Sequence, residues 1–406
     1  CLKAAGYRLA MFGLLFSERG VVFGAGYADV HAQLPVLQAL VVLTVLVALL
    51  CLVTMRLRSW RPLLWSVAAL IGVAILGGVA YPGLIQRYQV SPNEIDKEKP
   101  YIDFNIRYTR LAYGLDNIEE REFPAEETLT LQDLRKNDAT LKNIRLWDTG
   151  PLLQTYSQLQ EIRTYYKFTD IDIDRYRING EYRQVTLSPR ELSAKDLPSR
   201  IWINERLTYT HGYGAVVGPV NRVTREGLPE FWIKDFPPAA STDLRISRPE
   251  LYFSELATDY VFVKTLAKEF DYPAGDQNVY TTYQGLGGIP LASFWRKLLF
   301  AAHLADIKLL MSNDLTTESR VLLYRNIRER VERIAPFFRY DDDPYMVISA
   351  AGRTVWLLDG YTVSEWFPYS TTTHGLGNYM RNAVKVTVDA YDGTVHFYIA
   401  DPADPL

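Results

Sequence analysis

Leu34-Pro-Val-Leu-Gln-Ala-Leu-Val-Val-Leu-Thr-Val-Leu-Val-Ala-Leu-Leu-Cys-Leu-Val-Thr54 is one apolar run. After Met55-Arg56-Leu57-Arg58-Ser59-Trp60-Arg61-Pro62 comes a second, Leu63-Leu-Trp-Ser-Val-Ala-Ala-Leu-Ile-Gly-Val-Ala-Ile-Leu-Gly-Gly-Val-Ala-Tyr-Pro-Gly-Leu-Ile85. Each run has the ~20 residues a helix needs to cross a hydrocarbon layer. Cys51 is the sole ionisable side chain in the first run, and a helix satisfies its own backbone groups in lipid. Trp60, Trp65 and Tyr81 stand where interfacial aromatics are expected, and Gly72, Gly77 and Gly78 allow close approach of another helix. Short loops rich in Arg stay on the cytoplasmic side, so Arg56, Arg58 and Arg61 predict that both flanks lie outside the cytoplasm.

The expected layout is therefore an extracytoplasmic or interfacial segment 1–33, transmembrane helices at 34–54 and 63–85, a cytoplasmic loop 55–62 and a large extracytoplasmic domain 86–406. The apolar stretch 9–16 is too short to span. The chain starts at Cys1 rather than Met and stops in the turn-rich Asp401-Pro-Ala-Asp-Pro-Leu406, which reads as a piece of a longer protein. This places the chain in a plasma membrane as a multi-pass protein, its large domain extracellular or periplasmic, with the lipid bilayer and other transmembrane helices as partners. A net charge of -3 argues against a nucleic-acid protein, which would show a basic stripe, so no nucleic-acid partner is expected. No cysteine follows residue 85, so the domain has neither disulfide nor thiolate nucleophile. The chain carries 27 Tyr and 8 Trp, residue types suited to a large, partly wet binding surface.

Past the second run, Ser91-Pro92 predicts a helix start after an extended link, ending near Gly114. A second helix is expected over 151–166. The period then changes from 3.6 to 2. Strands 168–178 and 181–187 flank Asn179-Gly180, a hairpin turn signal. Strands are also expected at 201–209, 215–223 and 230–235, while 251–256 reads equally as strand or helix. Helices are expected at 292–310 and 318–334. Two more hairpins, 345–349 with 354–359 and 383–391 with 394–400, complete an α+β domain with antiparallel sheet.

These residues resemble a family. Arg19-Gly-Val-Val-Phe-Gly-Ala-Gly-Tyr-Ala-Asp-Val-His31, Val90-Ser-Pro-Asn-Glu94, Asn143-Ile-Arg-Leu-Trp-Asp148, Tyr209-Thr-His-Gly-Tyr-Gly214 and Asn382-Ala-Val-Lys-Val-Thr-Val-Asp389 are similar to stretches of the uncharacterised protein family UPF0182, large bacterial membrane proteins. The resemblance implies several N-terminal membrane helices before a large outer domain, of which this chain holds the last two helices and a first part of the domain. It implies no activity and no catalytic residues.

The strongest candidate site is the loop Tyr209-Thr-His211-Gly-Tyr213-Gly, with Asn221 and Arg222 completing a polar cluster able to recognise an anion. Asp170-Ile-Asp172-Ile-Asp174 sets three carboxylates on one strand face, a possible calcium site, although Arg175 stands where an EF-hand needs Gly. Asp341-Asp-Asp343-Pro is a charged turn with a weaker case for a cation. Gly285-Leu-Gly-Gly288 lacks the residues of a phosphate loop and reads as a turn. There is no Gly-x-Ser-x-Gly, His-Glu-x-x-His or P-loop, and the histidines are too scattered for a zinc site. Hence no catalytic residue, metal or cofactor is assigned. The expected function is binding or scaffolding in the bacterial cell envelope. The alternatives are an envelope enzyme acting on a glycan or lipid-linked substrate through Asp/Glu and His211, and a subunit of a transport or export assembly.

Overall fold

A computed structural model describes residues 2–57, 61–123 and 128–406, with the side chains of 55–57 left aside. Of the basic linker, Arg58, Ser59 and Trp60 lie outside the described residues, as does the Arg56 side chain. The chain forms two compact units, one of Cys1–Glu122, Thr362–Arg381 and Ala403–Leu406, the other of Phe123–Tyr361 and Asn382–Pro402.

In the first unit, helix Leu2–Gly13 packs on helix Leu34–Leu57, which packs on Arg61–Ile75. Leu37 and Leu40 are buried against Leu70 and Ala74. Gly77 makes the approach possible, since a Cβ there would lie 2.9 Å from Val36 Cγ1. The extended link expected before Ser91 is absent: Gln86–Val90 and Ser91–Asn93 are themselves helical turns, so helix runs on from Arg61 to Ala112. At 1.5 Å per residue its 52 residues span about 78 Å. Gly114, at φ +70°, ends it where expected.

The Glu94–Ala112 helix pins the glycine-rich segment before Asp29. Asn105 Nδ2 donates to the carbonyls of Phe23 (2.9 Å) and Tyr369 (2.8 Å). Gly24 adopts φ +120° against the Tyr369 ring, where a Cβ would lie 2.3 Å from a ring carbon. Asp29 accepts the Gly26 N–H at 3.1 Å and pairs with Arg19 at 3.0 Å.

The second unit is sheet-rich and antiparallel. Asn179 and Gly180, both at positive φ, turn strand Asp172–Ile178 into Glu181–Pro189, as their spacing predicts. Ala215–Pro219, Ile233–Lys234 and Ala239–Ala240 extend this sheet to five strands. A second five-stranded sheet holds Thr354–Ser364, Tyr379–Asp389 and Val395–Ile399, with Arg339–Tyr340 and Tyr345–Ile348 both on Thr354–Ser364. Val185, Leu187 and Val217 of one sheet share a core with Trp356, Leu358 and Val386 of the other, and Trp356 donates its indole N–H to the Phe253 carbonyl at 2.9 Å.

Several expected elements change type or length. Residues 202–208 are helical, with a wide turn at Asn204–Thr208, because tertiary partners outweigh the β-like alternation: Trp202 donates to Asp306 and Arg206 to the Tyr260 carbonyl, from one helix face. The helix expected at 318–334 divides into strand Arg320–Leu322, paired with Val261–Val263, and helix Ile327–Ile334. The break lies at Tyr324, φ +49°, and Asn326 then caps the helix by accepting the Glu329 N–H. The 292–310 helix is likewise split into Phe294–His303 and Lys308–Met311 by Ala305 at φ +51°. The 151–166 helix occupies Thr149–Gln160 and stops before Ile162, φ +61°.

Candidate functional site

The Tyr209–Gly214 stretch lies deep in the second unit. Its histidine ring has no exposed surface. His211 Nδ1 sits 2.9 Å from Thr210 Oγ1, its Nε2 3.3 Å from Asp271 Oδ1, and its ring centroid 4.5 Å from that of Tyr252. Thr210 and Tyr252 hydroxyls both donate to Glu269 Oε2, at 2.9 and 2.7 Å, and the Tyr283 N–H donates to Oε1 at 3.0 Å. Arg325, wholly buried, donates to the carbonyls of Thr210, Tyr252 and Asp259, and burial lowers its guanidinium to about 10. The glycines have a packing reason. A Cβ on Gly212 would meet the Arg190 carbonyl oxygen at 2.5 Å, and Gly214 has φ +68°. Tyr209 and Tyr213 pack in one aromatic cluster, Tyr209 on Tyr165 and Phe270, Tyr213 on Phe236 and Tyr272. This network fixes a core corner; a solute cannot touch His211 without the corner opening.

Asn221 and Arg222 belong to a different place. Asn221 Oδ1 accepts from Arg183 Nη2 at 3.1 Å, and Arg222 Nη1 stands 3.7 Å from Glu230 Oε1. These partners are not shared with His211, so the five candidate residues divide into a corner group, with His211 and Tyr213 buried and Tyr209 half-buried, and a separate pair, Asn221 half-buried and Arg222 exposed. Arg222 borders a cleft of about 560 Å³ at the end of the 172–189 hairpin, lined also by Arg183, Trp232 and Thr242, while Asn221 reaches it only through its bond to Arg183. No sequence signal marks Arg183 or Thr242, which lie far apart in the chain.

Carboxylates converge at the other end of the same hairpin. Oxygens of Asp170, Asp172 and Asp343 lie within 4.8 Å of one another. Asp174 is outside this group; its carboxylate accepts the Arg175 N–H. The two acidic stretches thus meet across the fold, with Asp343 in the position expected of Asp174. Burial, then Asp170 and Asp343, push the Asp172 carboxyl up to about 7, partly offset by the Met346 N–H. Burial and the neighbouring Glu191 and Asp172 raise Glu255 to about 8. Glu191 is fully buried and also raised, its carboxylate held by Thr169 and the Leu256 N–H. Three carboxylates supply between three and six oxygens, and waters or carbonyls would complete a calcium shell of six to eight, so the arrangement suits a shared proton or a partly hydrated cation.

A family model described as "Uncharacterised protein family (UPF0182)" matches residues 1–406. A UPF0182 protein of Pelotomaculum thermopropionicum is 51% identical over 407 residues, covering 100% of this chain and 44% of the relative. One of Geotalea uraniireducens is 53% identical over 403 residues, 99% of this chain and 45% of the relative. The chain therefore spans less than half the length of these relatives. No solved structure matches the chain.

Proposed function

The chain belongs to the uncharacterised protein family UPF0182, and we propose that it supplies the membrane anchor and an extracytoplasmic binding or scaffolding domain of a multi-pass bacterial envelope protein. One observation carries this reading. The two apolar helices present their side chains outward: Leu52, Leu64, Leu76 and Val79 are all more than half exposed. A continuous apolar surface of this extent needs lipid or other helices to cover it. The arginines around residues 56–61 support placing the second unit outside the cytoplasm. The lack of charged groups inside the 34–54 and 63–85 runs weighs against ion transport through these helices alone. The enclosure of His211 weighs against catalysis there.

The test uses the full-length protein in its own membrane, with its native cysteines, Cys1 and Cys51 among them, replaced by Ser and a single new thiol, Glu120→Cys, on an exposed loop. Labelling by a maleimide excluded from the cytoplasm is expected in intact cells. Labelling only after permeabilisation overturns the sidedness. Release of the protein by alkaline carbonate overturns the anchor.

A further inference from the structure

We infer that the cleft between the 179–180 turn and Arg222 is a binding site for a small hydroxylated anion, of the sugar-acid or sugar-phosphate class. This deepens the binding reading above and rests on it, but not on the sidedness of the membrane.

The central observation is Arg183. Only 5% of it is exposed, yet its guanidinium is under-paired. Nη2 donates to the neutral Asn221 Oδ1 at 3.1 Å. Nη1 reaches Glu181 Oε2 only at 3.5 Å, while the other oxygen of that carboxylate pairs with Lys142 at 3.2 Å. Nε is buried and has no hydrogen-bond partner among the described residues. A buried cation with a free donor and one distant, shared counter-charge carries a desolvation penalty that an incoming oxyanion would relieve. The guanidinium fork is also the donor geometry that matches carboxylate and phosphate.

Three further features surround it. Thr242 Oγ1 is a second buried polar atom without a hydrogen-bond partner among the described residues, and Thr242 lines the same cleft. Arg222, half exposed, stands 3.7 Å from Glu230, whose oxygen already accepts the Trp232 indole N–H at 3.0 Å. The Asp243 carboxylate is not part of the cleft lining and holds the Asn179 N–H at 3.0 and 3.1 Å. The negative group of the ligand therefore belongs against Arg183 and Thr242, with Arg222 at the mouth. Glu181 and Glu230 on the walls are acceptors, so the body of the ligand must bring donors, which hydroxyl groups do. The volume, about 560 Å³, lies in the range of small-molecule sites.

The experiment is calorimetric titration of the detergent-solubilised full-length protein with glucuronate, glucose 6-phosphate and glucose. Saturable binding of at least one anion is expected, with glucose weaker by about tenfold or more, the cost of an unmatched charged hydrogen bond. The ratio of the two anions tells whether carboxylate or phosphate is the preferred oxyanion. Thr242→Val is expected to leave the melting temperature unchanged or raised, since it removes an unsatisfied hydroxyl, and yet to weaken binding several-fold. Arg222→Gln, at the exposed mouth, is expected to weaken it by about tenfold without unfolding the chain. Arg183→Lys is read only if its circular dichroism matches the parent. No saturable binding of either anion overturns the inference, as does equal affinity for glucose. Unchanged affinity in both Thr242→Val and Arg222→Gln overturns it too. A chain that labels from outside the cell but binds neither anion keeps its anchor and loses this site.

Discussion

Glu98 holds the backbone N–H of Tyr27 between its two carboxylate oxygens, at 3.2 and 3.3 Å, across seventy-one residues of sequence. The carboxylate is buried, and burial raises its affinity for a proton. The contact ties the 94–112 helix to the start of the first apolar helix within one unit. Glu98→Ala leaves the Tyr27 N–H without its acceptor and is expected to cost about 1–3 kcal/mol, whereas Glu98→Gln keeps an acceptor oxygen and costs less. Thermal unfolding in detergent measures both. Equal melting temperatures for parent and Glu98→Ala would remove the tie from the account.

The carboxylates near the 172–178 strand make a prediction with a definite sign. Asp172 moves from an ordinary 3.8 to about 7 and Glu255 from 4.5 to about 8. Between the unfolded and folded values the folded state binds more protons than the unfolded one, so stability must fall as pH rises. The contribution is complete below about pH 4 and lost once the pH has passed about 8. Denaturation midpoints taken between about pH 5 and about pH 9 are expected to decline, and Asp172→Asn to flatten the decline. A rising midpoint over that range contradicts the assignment.

The hairpin beside those carboxylates was legible because Asn179-Gly180 carries its own conformational demand, positive φ at both positions. The helix expected at 318–334 was not, since its divided form depends on Val261–Val263, sixty residues away, offering strand Arg320–Leu322 a partner. The same holds for the candidate sites. Asp170 and Asp172 stand out in sequence, but their third partner, Asp343, comes from a separate turn. His211 beside Gly212 looks like part of an exposed functional loop, and the reason for that glycine, the approach of the Arg190 carbonyl, exists only in the folded chain. Arg183 is one arginine among many until burial leaves its Nε unpaired.

If Gly212 serves packing, its replacement should damage the fold and not merely a site. Gly212→Ala forces a methyl to within 2.5 Å of the Arg190 carbonyl oxygen and 2.9 Å of Glu191 Cα, both backbone atoms that cannot rotate away. A loss of about 1–3 kcal/mol is expected, the usual cost of overpacking a dense core. Urea denaturation followed by tryptophan fluorescence reads it. A variant as stable as the parent would mean that the strand at 190–192 can shift, and with it the closure around His211.

The apolar helix pair offers a comparison with built-in controls. Gly77 faces Val36 so closely that a Cβ would sit 2.9 Å from Cγ1 and 3.3 Å from Cγ2, whereas a Cβ on Gly72 or Gly78 meets nothing within 4 Å. In lipid the contact between helices rests on close van der Waals packing, with no gain from removing apolar surface from water. Adding a single methyl at Gly77 must therefore push the helices apart or turn the valine, while the same methyl at Gly72 or Gly78 displaces nothing. Gly77→Ala is expected to lower stability by about 1–3 kcal/mol. Gly72→Ala and Gly78→Ala should be neutral or slightly stabilising, since alanine favours the helix by about 1 kcal/mol. Thermal melts of the three variants in one detergent decide the matter. Equal effects at all three positions would show that the pair does not meet at Gly77, and that the small residues of the second helix serve some other neighbour.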